Sequence, residues 1–209
     1  MTDNDNKHQS ILVNAFKIFI ENGIRNISMD DLCRNMGISK KTLYKYVENK
    51  SDLLQRITDY IYSEIKKAID ELDKTELNAI DILLEMSKVP GKLFSHINPI
   101  ISFEMRKYYP QIYERSQSRR KELIIESVRK NIDQGIKEGL YRQDLNKEIV
   151  AQLYFKNIED FHTTLGDTMK KHPSEKIFEV MFENHIRGIA NENGIEYFEK
   201  QKAKLNFNL

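Results

Sequence analysis

Apolar residues recur at three- and four-residue spacings along almost the whole chain, and strand-like alternation is absent. That period puts one apolar stripe on each of a series of helices and predicts an all-α protein. The four prolines, Pro90, Pro99, Pro110 and Pro173, are expected to punctuate those helices, since proline fixes φ and lacks an N–H. The segmentation gives helices at about 7–22, 28–36, 40–46, 50–72, 75–97, 99–107, 110–138, 147–170, 174–190 and 192–205, with ends uncertain by about three residues.

Hydrophobic residues make up 40% of the 209 residues and charged residues 31%, enough apolar surface for a packed core. The net charge is only +1, so no global basic field attracts a nucleic acid, and any such partner must be held by a local patch. Cys33 is the single cysteine, which excludes an internal disulfide and suits a small buried core position. The first ten residues are polar, and no apolar run approaches the ~20 residues of a membrane span. A cytoplasmic protein with no membrane partner is expected.

The local patch lies in residues 29–54, MDDLCRNMGISKKTLYKYVENKSDLL. Ser28 and Asp31 fit a capping box that starts a helix with Met29, Leu32, Cys33 and Met36 on one face. Gly37 supplies a left-handed turn, and Ser39 caps a short helix whose Leu43 and Val47 face inward. Two helices joined by a tight glycine turn form a helix-turn-helix. Its second helix turns Lys40, Lys41, Thr42, Tyr44, Lys45 and Tyr46 outward.

Lysines offer charge to phosphates, and hydroxyls donate to phosphate oxygens or base edges. From Arg34 to Lys50 there are five basic residues against one acid, a local charge of +4, whereas residues 1–33 carry −2. Lys50 adds a cation beside the N–H groups that open the next helix, which Asn49 is placed to cap. A solvated amphipathic helix explains any one lysine. The turn, the tyrosines and the charge together point to DNA.

The run GISKKTLYKYVENKSDLL, Gly37 to Leu54, resembles the N-terminal signature of TetR-type transcriptional repressors, the tetracycline-repressor family. The resemblance extends back over Gly23, Ile27, Ser28, Asp31 and Leu32 and covers roughly the first 55 residues. That family usually has phenylalanine at the position of Val47 and alanine at that of Cys33, both apolar exchanges on the packed side. The resemblance implies phosphate contacts at Ser28, Thr42, Tyr44 and Lys50. It implies base or backbone approach by Lys40, Lys41 and Tyr46, with Ser39 and Lys45 alongside.

The resemblance also implies an N-terminal three-helix DNA-binding domain, residues 1–52, and a C-terminal helical ligand-binding and dimerisation domain, residues 53–209. A module of about 50 residues does not need some 150 more for support. The implied function is a homodimeric repressor that binds a near-palindromic double-stranded operator and is released by a small, apolar or amphipathic effector. Phe94, Phe103, Glu104, Tyr109, Tyr113, Phe155, Asn157 and His162 are candidate pocket residues, although ordinary core packing accounts for most aromatics. Leu153, Ile158, Phe178, Phe182, Ile186 and Ile189 lie on broad stripes that suit a dimer interface, or a core alone. The alternative is a helical protein-interaction module whose helix-turn-helix contacts protein.

An enzyme is not expected. There is no Gly-rich phosphate loop, G-x-S-x-G elbow or H-E-x-x-H, so no catalytic residue, cofactor or metal is assigned. The basic run around Arg115, Arg119 and Arg120 is read as a solvated helix face.

Overall fold

The computed structural model describes residues 3–94, 99–163 and 174–204, with side chains over 6–86, 100–159 and 176–202. The protein is all-α. Ten helices run through the described residues: α1 Asp3–Asn22, α2 Met29–Met36, α3 Lys40–Leu43, α4 Lys50–Leu72, α5 Ala79–Phe94, α6 Pro99–Tyr108, α7 Pro110–Lys137, α8 Lys147–Thr163, α9 Ser174–Ile189 and α10 Glu192–Lys204.

Local chemistry sets the boundaries. Ser28 accepts from the Asp31 N–H while the Asp31 carboxylate accepts from the Ser28 N–H, a complete capping box at α2. Gly37 follows α2 with φ 63°, in the left-handed region that favours glycine. Asn49 Oδ1 accepts from the Asp52 N–H at 3.0 Å and starts α4.

Three expectations shift. The regular part of α3 ends at Leu43, and the chain then tightens, with Tyr46 N donating to Leu43 O at 3.0 Å. That tightening carries Val47 into the core. Helix α5 starts at Ala79 rather than near Thr75, because Asn78 Oδ1 accepts from Ile80 N and Asp81 N, both at 3.0 Å. Pro90 does not end that helix. It lies inside α5, where its missing N–H removes the hydrogen bond back to the Met86 carbonyl.

The chain divides into two compact units. The first takes the described residues within 1–66 and 96–120, the second those within 67–95 and 121–209. The boundary expected at 52/53 falls near the start of α4, whose Leu53, Leu54 and Ile57 are buried in the first unit. There they join Leu12, Ala15 and Phe19 of α1, Leu32 of α2, Leu43 of α3 and Met105 of α6. Contact with Met105 explains why a segment distant in sequence belongs to this unit.

In the second unit Ile80, Leu83 and Leu84 of α5 pack with Tyr141, with Phe182, Ile186 and Ile189 of α9, and with Phe198 of α10. A further cluster joins Ile125, Val128 and Ile132 of α7 to Ala151 and Phe155 of α8. Asn131 anchors the polar interior. Its Nδ2 donates to Ala79 O at 2.8 Å and its Oδ1 accepts from the Tyr141 hydroxyl at 3.0 Å.

Candidate nucleic-acid interface

The second helix of the helix-turn-helix has two unlike faces. Leu43 is fully buried, while Lys41, Tyr44 and Lys45 project into solvent, Tyr44 with 48% of its surface exposed. Ser39 Oγ accepts from Thr42 N at 3.1 Å and lies 2.8 Å from Thr42 Oγ1. Thr42 is thus half-buried and tied to the cap. Lys40 is exposed but paired: its ammonium lies 2.7 Å from Asp30 of α2, and that hydrogen bond raises its pKa. Arg34 pairs with Asp31 at 2.7 Å.

Three residues expected to face DNA make contacts within the protein. The Ser28 hydroxyl is exposed but committed to the capping box, donating to Asp31 at 2.5 Å, which helps hold that carboxyl below its ordinary value. Tyr46 is half-buried against the core and stacks on His8 of α1, with ring centroids 5.6 Å apart and an interplanar angle of 11°. One turn of tightening after Leu43 is enough to swing it off the outer face.

Lys50, expected at a phosphate, is the third, and it points inward. Its ammonium donates to Ile24 O and, at 2.5 Å, to Ile27 O, both in the α1–α2 loop. It also lies 5.7 Å from the centre of the Phe19 ring. Burial lowers its pKa, partly offset by the charges of Glu104 and Asp31. A loop with unpaired carbonyls beside an apolar core needs a donor, and Lys50 is the long cation within reach.

Glu104 of α6 is corrected in the same way. Expected to select a ligand, it is 8% exposed and accepts from Ile24 N at 2.5 Å and Arg25 N at 3.1 Å. Gly23 fits beneath it. A Cβ there would sit 3.3 Å from Glu104 Oε2, and the φ of 81° is already strained for other residues. Arg25 closes the contact, donating to the Tyr108 hydroxyl at 3.0 Å. The sequence placed Glu104 among the pocket candidates, with no local signal for a partner 80 residues away.

The remaining pocket candidates scatter. Tyr109 and Tyr113 are half-buried against the first unit's core, and Phe103 is 51% exposed. Phe155 is core in the second unit, and Asn157 is exposed. The side chains of Phe94 and His162 lie outside the described residues. In the basic run Arg115 is exposed, Arg119 and Arg115 both pair with Asp59 of α4, and Arg119 stacks 3.9 Å from the centre of the Tyr62 ring.

The interface candidates divide. Phe182, Ile186 and Ile189 are core within one chain, at 2%, 0% and 2% exposure, so they are not available to a partner. Ile158 is half-buried, as is Phe178, which stacks on Phe182. Leu153 is 60% exposed, and Ile149, one turn before it, is 55% exposed. Val180 of α9 is 49% exposed and was not singled out in the sequence. The signal was available for α8: Ile149 and Leu153 share a face by i,i+4 spacing, away from buried Ala151 and Phe155.

Among the described residues no helix is long and apolar enough to cross a membrane. Among the same residues no group of three or more His, Cys, Asp or Glu side chains is placed to hold a metal ion.

A capped helix-turn-helix in an all-helical chain is an architecture found in DNA-binding proteins, and the comparisons point to one family of them. Residues 11–57 match the family model described as bacterial regulatory proteins, tetR family. An HTH-type transcriptional regulator of Staphylococcus aureus (strain bovine RF122 / ET3-1) is 29% identical over 107 residues, 48% of this chain and 57% of that protein. Another, from strain USA300, is 38% identical over 61 residues, 27% of this chain and 33% of that protein. The chain thus spans about half or less of the length of these curated relatives. In fold it is similar to the reduced form of E. coli NemR, with a TM-score of 0.71 and 14% identity over 88% of this chain and 98% of that one. It is also similar to a TetR-family regulator from Agrobacterium tumefaciens, at TM-score 0.70 and 15% identity over 90% and 99%. Residues 11–57 thus match the tetR family of bacterial regulatory proteins, and the chain is similar in fold to solved TetR-family regulators.

Proposed function

We propose that this protein is a DNA-binding transcriptional regulator, a repressor, that grips a near-palindromic operator as a homodimer and lets go when a small molecule binds. One observation carries the DNA reading: a fully capped turn presents Lys41 of α3, and Tyr44 and Lys45 of the turn that follows it, to solvent, with Lys40, Ser39 and Thr42 beside them. In this reading these residues touch DNA, while Ser28, Tyr46 and Lys50 hold the motif in shape. The exposed Ile149 and Leu153 support the homodimer, since an apolar helix face of this kind suits a two-fold contact.

A dimer places two recognition helices one DNA turn apart, and an effector lowers affinity only by favouring a different spacing. A coupling of about 1–3 kcal/mol lowers operator affinity about 5- to 150-fold. The covalent route for that signal is α4, which runs from the helix-turn-helix into the second unit.

The test is selection of duplexes from a random library, followed by anisotropy titration of the enriched sequence. The Lys41→Ala, Tyr44→Ala double variant is expected to lose at least tenfold in affinity while keeping its helical content. Unchanged affinity in that variant overturns the assignment.

A further inference from the structure

The second helix of the helix-turn-helix is not electrostatically free. Asp30 sits in the first turn of α2, Lys40 opens α3, and their charged atoms are 2.7 Å apart across the turn. Both are exposed, Lys40 at 63% and Asp30 at 53% of the side chain. They stand over an open depression also lined by Cys33, Arg34, Gly37 and Ile38, so water reaches both.

We propose that Asp30 is an affinity-setting residue that acts as an internal stand-in for a phosphate, holding Lys40 until DNA displaces it. This rests on the DNA reading above. An exposed pair of this kind is weak, so an operator phosphate outcompetes the carboxylate. While the pair is closed Lys40 contacts no phosphate, so each subunit neutralises one phosphate fewer than its count of basic residues implies, and non-specific binding, which lacks the contacts that open the pair, is damped more than specific binding. Base contacts gain nothing from the change, whereas the sequence-independent component depends on net charge.

The residue sets discrimination as well as strength. A chain with a net charge of only +1 that must leave random DNA benefits from such damping.

The experiment measures wild type, Asp30→Asn, Lys40→Gln and the double variant on the selected duplex and on a scrambled one, across 50–300 mM salt. Asp30→Asn is expected to tighten binding about three- to tenfold, more on the scrambled duplex. It should also steepen the salt dependence by about one for each subunit bound. In the Lys40→Gln background the same change should have less than half that effect. Weaker or equal binding by Asp30→Asn overturns the proposal, because it makes Asp30 a support for Lys40 or a bystander. An equal gain in the Lys40→Gln background also overturns it, because the carboxylate then acts directly on DNA. A wild type that binds neither duplex removes the DNA reading itself, a result distinct from both. Circular dichroism melts of all four proteins check that folding is unchanged.

Discussion

Glu104 and Lys50 hold the two sides of one residue: Glu104 accepts from the Ile24 N–H, and Lys50 donates to the Ile24 carbonyl. The three lie on different elements, the α1–α2 loop, the start of α4 and α6. Ile24 itself is 1% exposed, so neither backbone group has water as an alternative partner. The loop just before α2 is thereby fixed from both sides, and so is the angle at which α2 and α3 leave α1.

Stability should report the acid's role first. Glu104→Ala leaves the Ile24 and Arg25 N–H groups without an acceptor and is expected to cost about 3 kcal/mol, while Glu104→Gln costs about 1 kcal/mol. Urea unfolding followed by circular dichroism measures both. An alanine variant as stable as wild type contradicts this account of Glu104.

Lys50 gives a sharper discrimination. As a loop tether, Lys50→Met weakens binding to every duplex equally but leaves the salt dependence unchanged. As a phosphate contact, it would flatten the log–log salt slope by about one. Anisotropy titrations at four salt concentrations separate the two, and the inward geometry predicts the unchanged slope.

These two residues also show where sequence reading stops. The helix-turn-helix was legible because its signals are local: Ser28 and Asp31 are three residues apart, Gly37 marks the turn, and Ser39 opens α3. Helix α4, expected to run from the Asn49 cap to Leu72, was found as Lys50–Leu72 for the same reason. Lys50 was assigned to phosphate because an exposed lysine and a tethering lysine have the same local sequence. The choice depends on carbonyls 26 and 23 residues earlier. Phe182, Ile186 and Ile189 failed differently. Their stripe is apolar whether the face opposite is another helix of the chain or a second subunit, and periodicity carries no label for the partner. Exposure, which only packing reveals, moved the interface candidates to Ile149, Leu153 and Val180.

That reassignment predicts a contrast between two charges. Leu153→Glu is expected to fold with wild-type helicity and give a monomer mass of 24.7 kDa by light scattering at micromolar concentration, where wild type gives twice that. Phe182→Glu buries a charge in the second unit's core and is expected to lose cooperative folding, at a cost of several kcal/mol. A folded monomer from Phe182→Glu, or a dimer from Leu153→Glu, sends the interface elsewhere.

His185 on α9 predicts how the second unit responds to acid. Its Nε2 is buried with no hydrogen-bond partner among the described residues, and its ring lies 4.2 Å from that of Tyr154. Burial lowers its pKa from 6.5 to about 4 and pushes the Tyr154 phenol up to about 12. The sign follows from proton binding. Between these two histidine values the unfolded chain holds a proton that the folded chain excludes, so folding stability falls as pH drops from about 6.5 toward 4. By pH 5 the loss from this residue alone is about 2 kcal/mol, taking 1.36 kcal/mol per unit of pKa difference as the upper scale. Urea unfolding at pH 7 and pH 5 should show that drop in wild type and a smaller one, by most of that amount, in His185→Phe, whose ring fills a similar space without a titrating nitrogen. Nuclear magnetic resonance titration of the His185 ring protons gives the independent check: a midpoint near 6.5 in the folded protein contradicts the buried neutral ring, and a midpoint below 5 supports it.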